Sequence, residues 1–167
     1  MKQNNHSNAS TEAFSFFLAP IEARSDAEID QLMTIWKRAV EAVNQRCGKS
    51  LYKVDEAQTA ALLQAITTLL GAYDEESRRL LGFIAIEEDS IERFAVLPSD
   101  QHQGIGSALL KAAQEHYQAE YLDLYQENRA AIQFFEKRGF TPFDETIPEP
   151  GDLLAEPYAI AHLKWSA

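Results

Sequence analysis

The sequence predicts an α/β protein with one central mixed, mostly antiparallel sheet and helices on both faces. Three observations carry that expectation. Two amphipathic helical stripes occupy the first 70 residues, ahead of a strongly apolar meander. Segments of strand character then alternate with single helices, which brings non-consecutive strands together. Between meander and alternation stands a glycine pair, Gly104 and Gly106, ahead of Ile105, Ala108, Leu109, Ala112 and Ala113 at helical spacing.

Residues 14–23, FSFFLAPIEA, read as a first strand, and Pro20 marks an edge or a bulge because proline has no N–H for a ladder. Ser25 and Glu28 form a capping box that opens a helix to about Arg46. Its apolar stripe is Ile29, Leu32, Met33, Trp36, Ala39, Val40 and Val43, and Cys47-Gly48 ends it. A second helix is expected from 55 to about 70, with Ala57, Ala61, Leu62, Ala65, Ile66 and Leu69 on one side. After a turn at 74–77, RLLGFIAIE (79–87) is a strand with almost no polar face, hence central. Then come a strand at 91–97, a helix at 103–119, a strand at 120–126, a helix at 129–138 ended by Gly139 and a strand from 140 to about 147. A loop with Pro148, Pro150, Gly151 and Pro157 precedes a last strand at 158–165.

A length of 167 residues suits one domain, assigned to 13–167, behind a disordered tail at 1–12. The N-terminal residues lack the basic and apolar regions of a signal peptide, and no apolar run reaches the roughly 20 residues of a membrane span. The single cysteine, Cys47, forms no internal disulfide and fits a reducing cytoplasm. The net charge of -11 disfavours nucleic acid and anionic membranes as partners and favours a cationic ligand such as an amine. His6, His102, His116 and His162 have no metal-ligand spacing, so no metal is expected.

The glycine pair lets a ligand approach bare backbone. The helix start beyond it presents unpaired N–H groups and a positive dipole end, a site for a phosphate-like anion. The same pattern also suits a tight strand-to-helix turn that binds nothing. Few basic residues lie near it in sequence, so backbone amides are expected to hold the anion. The spacing is not that of a dinucleotide fold, because no third glycine comes after it.

The next forty residues narrow the choice. Gln101-x-x-Gly104-x-Gly106 is succeeded by a helix, a strand and Asn128-x-x-Ala131-x-x-Phe134-Phe135-x-x-x-Gly139-Phe140. In these two motifs, over roughly 91–140, the chain resembles the GNAT superfamily of N-acetyltransferases. The resemblance implies the GNAT fold with six to seven strands. It implies acetyl-CoA as co-substrate and a primary amine as acceptor, either a small molecule or a protein N-terminus. It also implies pyrophosphate binding by Gln101, His102, Gln103, Gly104, Ile105, Gly106 and Ser107. The pantetheine arm would lie on Phe94, Ala95 and Val96 and meet Asn128, with Ala131 and Phe134 lining the cofactor. Asn128 also suits a helix cap, and Lys137 would reach a phosphate or stand solvated at the helix end.

Direct acetyl transfer needs oxyanion donors, a proton acceptor for the amine and, for the departing thiolate, a proton source. Asp123, between Leu122 and Leu124, is the first candidate base, since a partly dry carboxylate suits proton abstraction. It suits a solvated strand face equally. Glu92 is the second candidate, and Tyr125 shares Asp123's face at period two. The family often has tyrosine where this chain has Phe135, which has no proton to give. Tyr125, Tyr158 or water would have to act instead, or the thiolate leaves unprotonated. The alternative is a non-catalytic acyl-CoA-binding module. Trp36 borders the expected acceptor pocket, and loops 48–55 and 146–157 would set acceptor choice. The family's habit of pairing through sheet edges makes a homodimer through the last strand a further implication.

Overall fold

The computed structural model describes residues 13–149 and 157–166; the expected tail and the loop residues Pro150 and Gly151 lie outside them. The chain runs β1 (Phe16–Pro20), α1 (Asp26–Cys47), α2 (Glu56–Ala65), β2 (Thr68–Asp74), β3 (Leu80–Glu87) and β4 (Ser90–Val96). A short 3-10 turn, Pro98–Asp100, leads to α3 (Ile105–Tyr117), β5 (Tyr121–Tyr125), α4 (Arg129–Glu136), β6 (Phe140–Thr146) and β7 (Ile160–Trp165). One seven-stranded sheet has the order β1-β2-β3-β4-β5-β7-β6. Every pairing is antiparallel except β4 with β5.

The apolar pattern of β3 explains the layering. All residues from Leu80 to Ile86 are buried, and successive side chains point to opposite faces. Phe83 and Ala85 join Leu32, Met33 and Ile35 of α1 and Leu63 of α2 in one core. Ile84 and Ile86 join Ile105, Leu109, Leu110 and Ala113 of α3, with Phe135 of α4, in the other. The helix stripe expected for α1 omits Ile35, which is buried. Its start and stop are as the capping box and Gly48 suggest: Ser25 accepts from Glu28 N–H, and Gly48 takes φ 69.

The second helix is shorter than the sequence suggests. It ends at Ala65, and residues 68–74 form a strand instead. Its buried residues are Thr59 and Leu63, whereas Ala57, Ala61 and Ala65 face solvent. The cause is remote. The Arg24 guanidinium, on the α1 approach, donates to the carbonyls of Leu63 and Gln64 at 3.1 Å and to that of Ile66. These are the carbonyls a helix end leaves unpaired. The strand beyond is buried on both faces, so its run of apolar residues carries no period of two.

The last strand is not an edge. β7 lies between β5 and β6, and the edges are β1, carrying Pro20, and β6, carrying Pro142. An edge-to-edge pairing through β7 is therefore blocked by its own neighbours. No helix of the described residues is long and apolar enough to cross a membrane.

Gly82 fixes how closely β4 lies on β3. A Cβ built there would sit 2.8 Å from the Ala95 carbonyl and 3.1 Å from Val96 Cγ2. Gly82→Ala is expected to cost about 1–3 kcal/mol, the usual penalty of overpacking, read as a lowered urea midpoint.

Candidate functional site

The site is built where the sheet comes apart. β4 and β5 pair at Ser90 and Tyr121 alone, then diverge. On its other side β4 keeps its full ladder with β3, from Gly82–Val96 to Glu87–Ser90. A bulge in that ladder falls between Ala85 and Ile86, opposite Ile91 and Arg93, and adds Glu92 to the strand. Phe94, Ala95 and Val96 thus lie on a strand whose outer backbone edge has no ladder partner. Such an edge offers N–H and C=O groups to an extended ligand.

The glycine loop lies at the far end of β4. His102 and Gly104 adopt left-handed φ of 66 and 84, and Gly104 is the residue before α3. Gln103 and Gly104 are exposed, and a Cβ on Gly104 would meet nothing within 4 Å. The N-terminal N–H groups of α3 have no side-chain cap, so they remain donors for an anion. Gly106 has different surroundings. A Cβ there would lie 3.4 Å from Phe134 and 3.5 Å from Phe94, in ordinary contact with two rings that pack under the loop. Ile105 is buried in the core, while Gln101 and Ser107 are partly buried.

A cation does stand at the loop, and it comes from 31 residues away. Arg138 donates to Ser107 Oγ at 2.6 Å and to the Phe134 carbonyl at 2.8 Å. Its guanidinium lies 3.7 Å above the Phe134 ring. The expectation of a loop with backbone donors alone is corrected on this point. Lys137, its neighbour, is exposed beyond the end of α4. The sequence places Lys137 and Arg138 equally close to the helix end, and only their faces differ.

Asn128 opens α4, yet its side chain does not cap the helix. It is 4% exposed, and its Nδ2 donates to the Tyr52 hydroxyl at 3.3 Å. Its Oδ1 is buried without a partner. A buried amide oxygen left unpaired is costly, and it fits a ligand N–H such as those of a pantetheine amide. Ala131 and Phe134 are both partly buried on the same helix. Tyr52 carries no signal in the sequence. The loop after α1 brings it here, with its ring 4.8 Å from that of Tyr125. Burial raises its hydroxyl pKa, against the opposing pull of hydrogen bonds from Asn128 and the Tyr125 backbone.

Asp123 faces away from the core that holds Leu122. Its side chain is 66% exposed, which corrects the expected dry carboxylate. It bonds His162 Nδ1 at 2.6 Å, and His162 Nε2 meets Thr146 Oγ1 at 2.7 Å. Neighbouring strands β5, β7 and β6 each supply one residue of this chain. Glu92 is exposed, and its carbonyl accepts from Arg93 at 2.7 Å. Arg93 lies 5.2 Å from the Trp36 ring of α1, and burial lowers its pKa. Tyr125 also contacts Tyr158, at 6.0 Å between rings. Phe135 is 3% exposed among Phe94, Phe134 and Phe140. Among the described residues no group of three or more His, Cys, Asp or Glu is placed to hold a metal ion.

Comparison with known proteins agrees with this geometry. Residues 65–142 match the family described as Acetyltransferase (GNAT) domain. The chain is 37% identical over 67 residues to the peptidyl-lysine N-acetyltransferase YiaC of Escherichia coli (strain K12). That match covers 40% of this chain and 46% of the relative, so the chain spans about half the length of the curated protein it matches. The fold resembles the solution structure of apo YjaB from Escherichia coli, with TM-score 0.68 and 19% identity over 90% of this chain and 97% of that one. It also resembles a candidate streptothricin acetyltransferase from Bacillus anthracis str. Ames, solved with acetyl coenzyme A. There the TM-score is 0.53 and the identity 19%, over 61% of this chain and 63% of that one.

Arg138→Ala removes the side-chain cation that reaches the glycine loop. It is expected to weaken coenzyme A binding by about tenfold, or about 1.4 kcal/mol, in calorimetry at low salt. The difference should narrow as salt rises.

Proposed function

We propose that this chain, whose residues 65–142 match the GNAT acetyltransferase family, is an acetyl-CoA-dependent N-acetyltransferase that acetylates a primary amine by direct attack. The observation that carries this reading is the parting of β4 from β5, with the buried, unpaired Asn128 oxygen beside it. An extended amide-bearing arm would satisfy both the free strand edge and that oxygen. The N–H groups of the α3 start and Arg138 would hold the pyrophosphate at the other end of β4. The loop residues Gln101 to Ser107 would act through their main chain.

The acceptor is a small amine or an amino group of a protein or peptide. The activity of the YiaC relative, on peptidyl lysine, supports the second. The net charge of -11 would draw either kind of cationic amine. An ammonium ion must lose a proton before it attacks. Asp123 is the proposed acceptor of that proton, steadied by His162. With the His162 Nδ1–H given to Asp123, Nε2 is left to accept from the Thr146 hydroxyl. Exposure then lets the proton pass on to water. The nitrogen attacks the thioester carbonyl, backbone N–H groups on β4 meet the oxyanion, the C–S bond breaks, and the nitrogen gives up its second proton to water. Glu92 and Tyr125 are the second-ranked groups for moving protons at the same cleft.

Release of coenzyme A thiol against a panel of amines tests this directly. A binding module would take up acetyl-CoA and release no more thiol with any amine than without. Asp123→Asn is expected to lower turnover at least about tenfold. Unchanged turnover would remove Asp123 from the mechanism.

A further inference from the structure

Resting on the acetyltransferase reading, we infer that Tyr52 supplies the proton to the departing thiolate. The chemistry asks for a donor here. The position that would carry a tyrosine holds Phe135, sealed in the aromatic core at 3% exposure. Its ring has no proton to give.

Tyr52 is built into the cleft by four separate ties. Asn44, on the last turns of α1, grips its backbone from both sides. Asn44 Oδ1 accepts from Tyr52 N–H at 2.9 Å, and Asn44 Nδ2 donates to its carbonyl at 2.8 Å. The Tyr52 ring packs on Tyr125 of β5 at 4.8 Å. Two residues of the same loop region fasten to the β5–α4 connection. Lys49 pairs with Glu127, and Cys47 donates to the Glu127 carbonyl at 3.6 Å.

The fourth tie sets the chemistry. Asn128 Nδ2 donates to the Tyr52 oxygen at 3.3 Å, so that oxygen is an acceptor inside the protein. An acceptor role leaves the phenol its own O–H proton to direct at a ligand. Burial favours the protonated phenol, as an acid that must arrive loaded requires. The same Asn128 amide carries the orphan oxygen that marks where the arm docks. Proton donor and docking point therefore meet on one side chain. In the step, the carbonyl carbon's bond to sulfur breaks, sulfur takes the electron pair, and the Tyr52 proton forms the S–H bond. The phenolate recovers a proton from water, which has received the one lost by the amine.

The test compares wild type with Tyr52→Phe, which keeps the ring. The kcat with acetyl-CoA and a working amine is expected to fall about a hundredfold. Coenzyme A affinity by calorimetry should change far less than kcat, although the Asn128 amide loses its hydroxyl partner. The wild-type fall in kcat at high pH, where the phenol ionises above the ordinary tyrosine range, should vanish in the variant. An unchanged kcat, or an alkaline limb that persists in the variant, overturns the assignment to Tyr52 while leaving the acetyltransferase reading in place. So does a loss of coenzyme A affinity and thermal stability in step with kcat, since that marks a structural role. Wild-type protein that binds acetyl-CoA but acetylates no amine would instead overturn the parent reading and this one together.

Discussion

The whole site depends on one constraint: two parallel neighbours that pair at a single register and then part. β4 cannot close on β5, because β5 is committed to β7 through five paired positions and β4 to β3 through six. Each strand holds its partner on the far side, and the crossover through α3 fixes their spacing at one end. The bulge at Glu92 turns β4 further from the ladder. What remains is a backbone edge that folding does not satisfy. Exposed strand edges are usually hidden or blunted. This one lies inside the sheet, where the proposed function gives it to an extended ligand.

The electrostatics arise from the same geometry. A chain of net charge -11 must hold a polyanion without a cluster of lysines. Under the proposed function it would do so at the point where β4 ends and α3 begins, with oriented N–H groups whose cost was met when the helix formed. Arg138 adds one charge-assisted donor, and its own placement is over-determined. It stacks on Phe134, bonds that residue's carbonyl and reaches Ser107. Phe134 and Phe94 pack against Gly106 under the loop, so the cation and the ring adjoin the loop together.

The legible part of this protein is local. The capping box at Ser25, the left-handed stop at Gly48, the buried β3 and the glycine loop each announce themselves within a few residues. The illegible part is nonlocal. β2 reads as helix because an apolar run buried on two faces has no period, and the ending of α2 depends on Arg24, some 40 residues away. Asp123 has apolar sequence neighbours, yet Leu122 and Leu124 point the other way and leave its carboxylate in water. The last strand is interior because β6 folds back outside it, which no pattern in residues 158–165 can encode. Arg138 and Tyr52 matter through partners 31 and 76 residues distant.

That distance bears on how proton traffic can be divided in such a cleft. The proposed base and the proposed acid stand on different supports. Asp123 is carried by a sheet strand, backed by His162 and Thr146 on the next two strands. Tyr52 is carried by the loop between α1 and α2, backed by Asn44 and Asn128. A proton removed from the amine therefore need not cross to the sulfur through one shared side chain. The two groups also differ in surroundings: the Asp123 carboxylate is exposed, and burial favours the neutral form of the Tyr52 phenol. Moving the acid from a helix to a loop would cost precision if the loop were free. Here two side chain–backbone bonds from Asn44, each contributing about 1 kcal/mol, oppose that freedom. Loop 48–55 also lies where acceptor choice is expected to be set. Leaving-group protonation would then be coupled to acceptor fit, since any acceptor that displaced this loop would displace the Tyr52 hydroxyl with it.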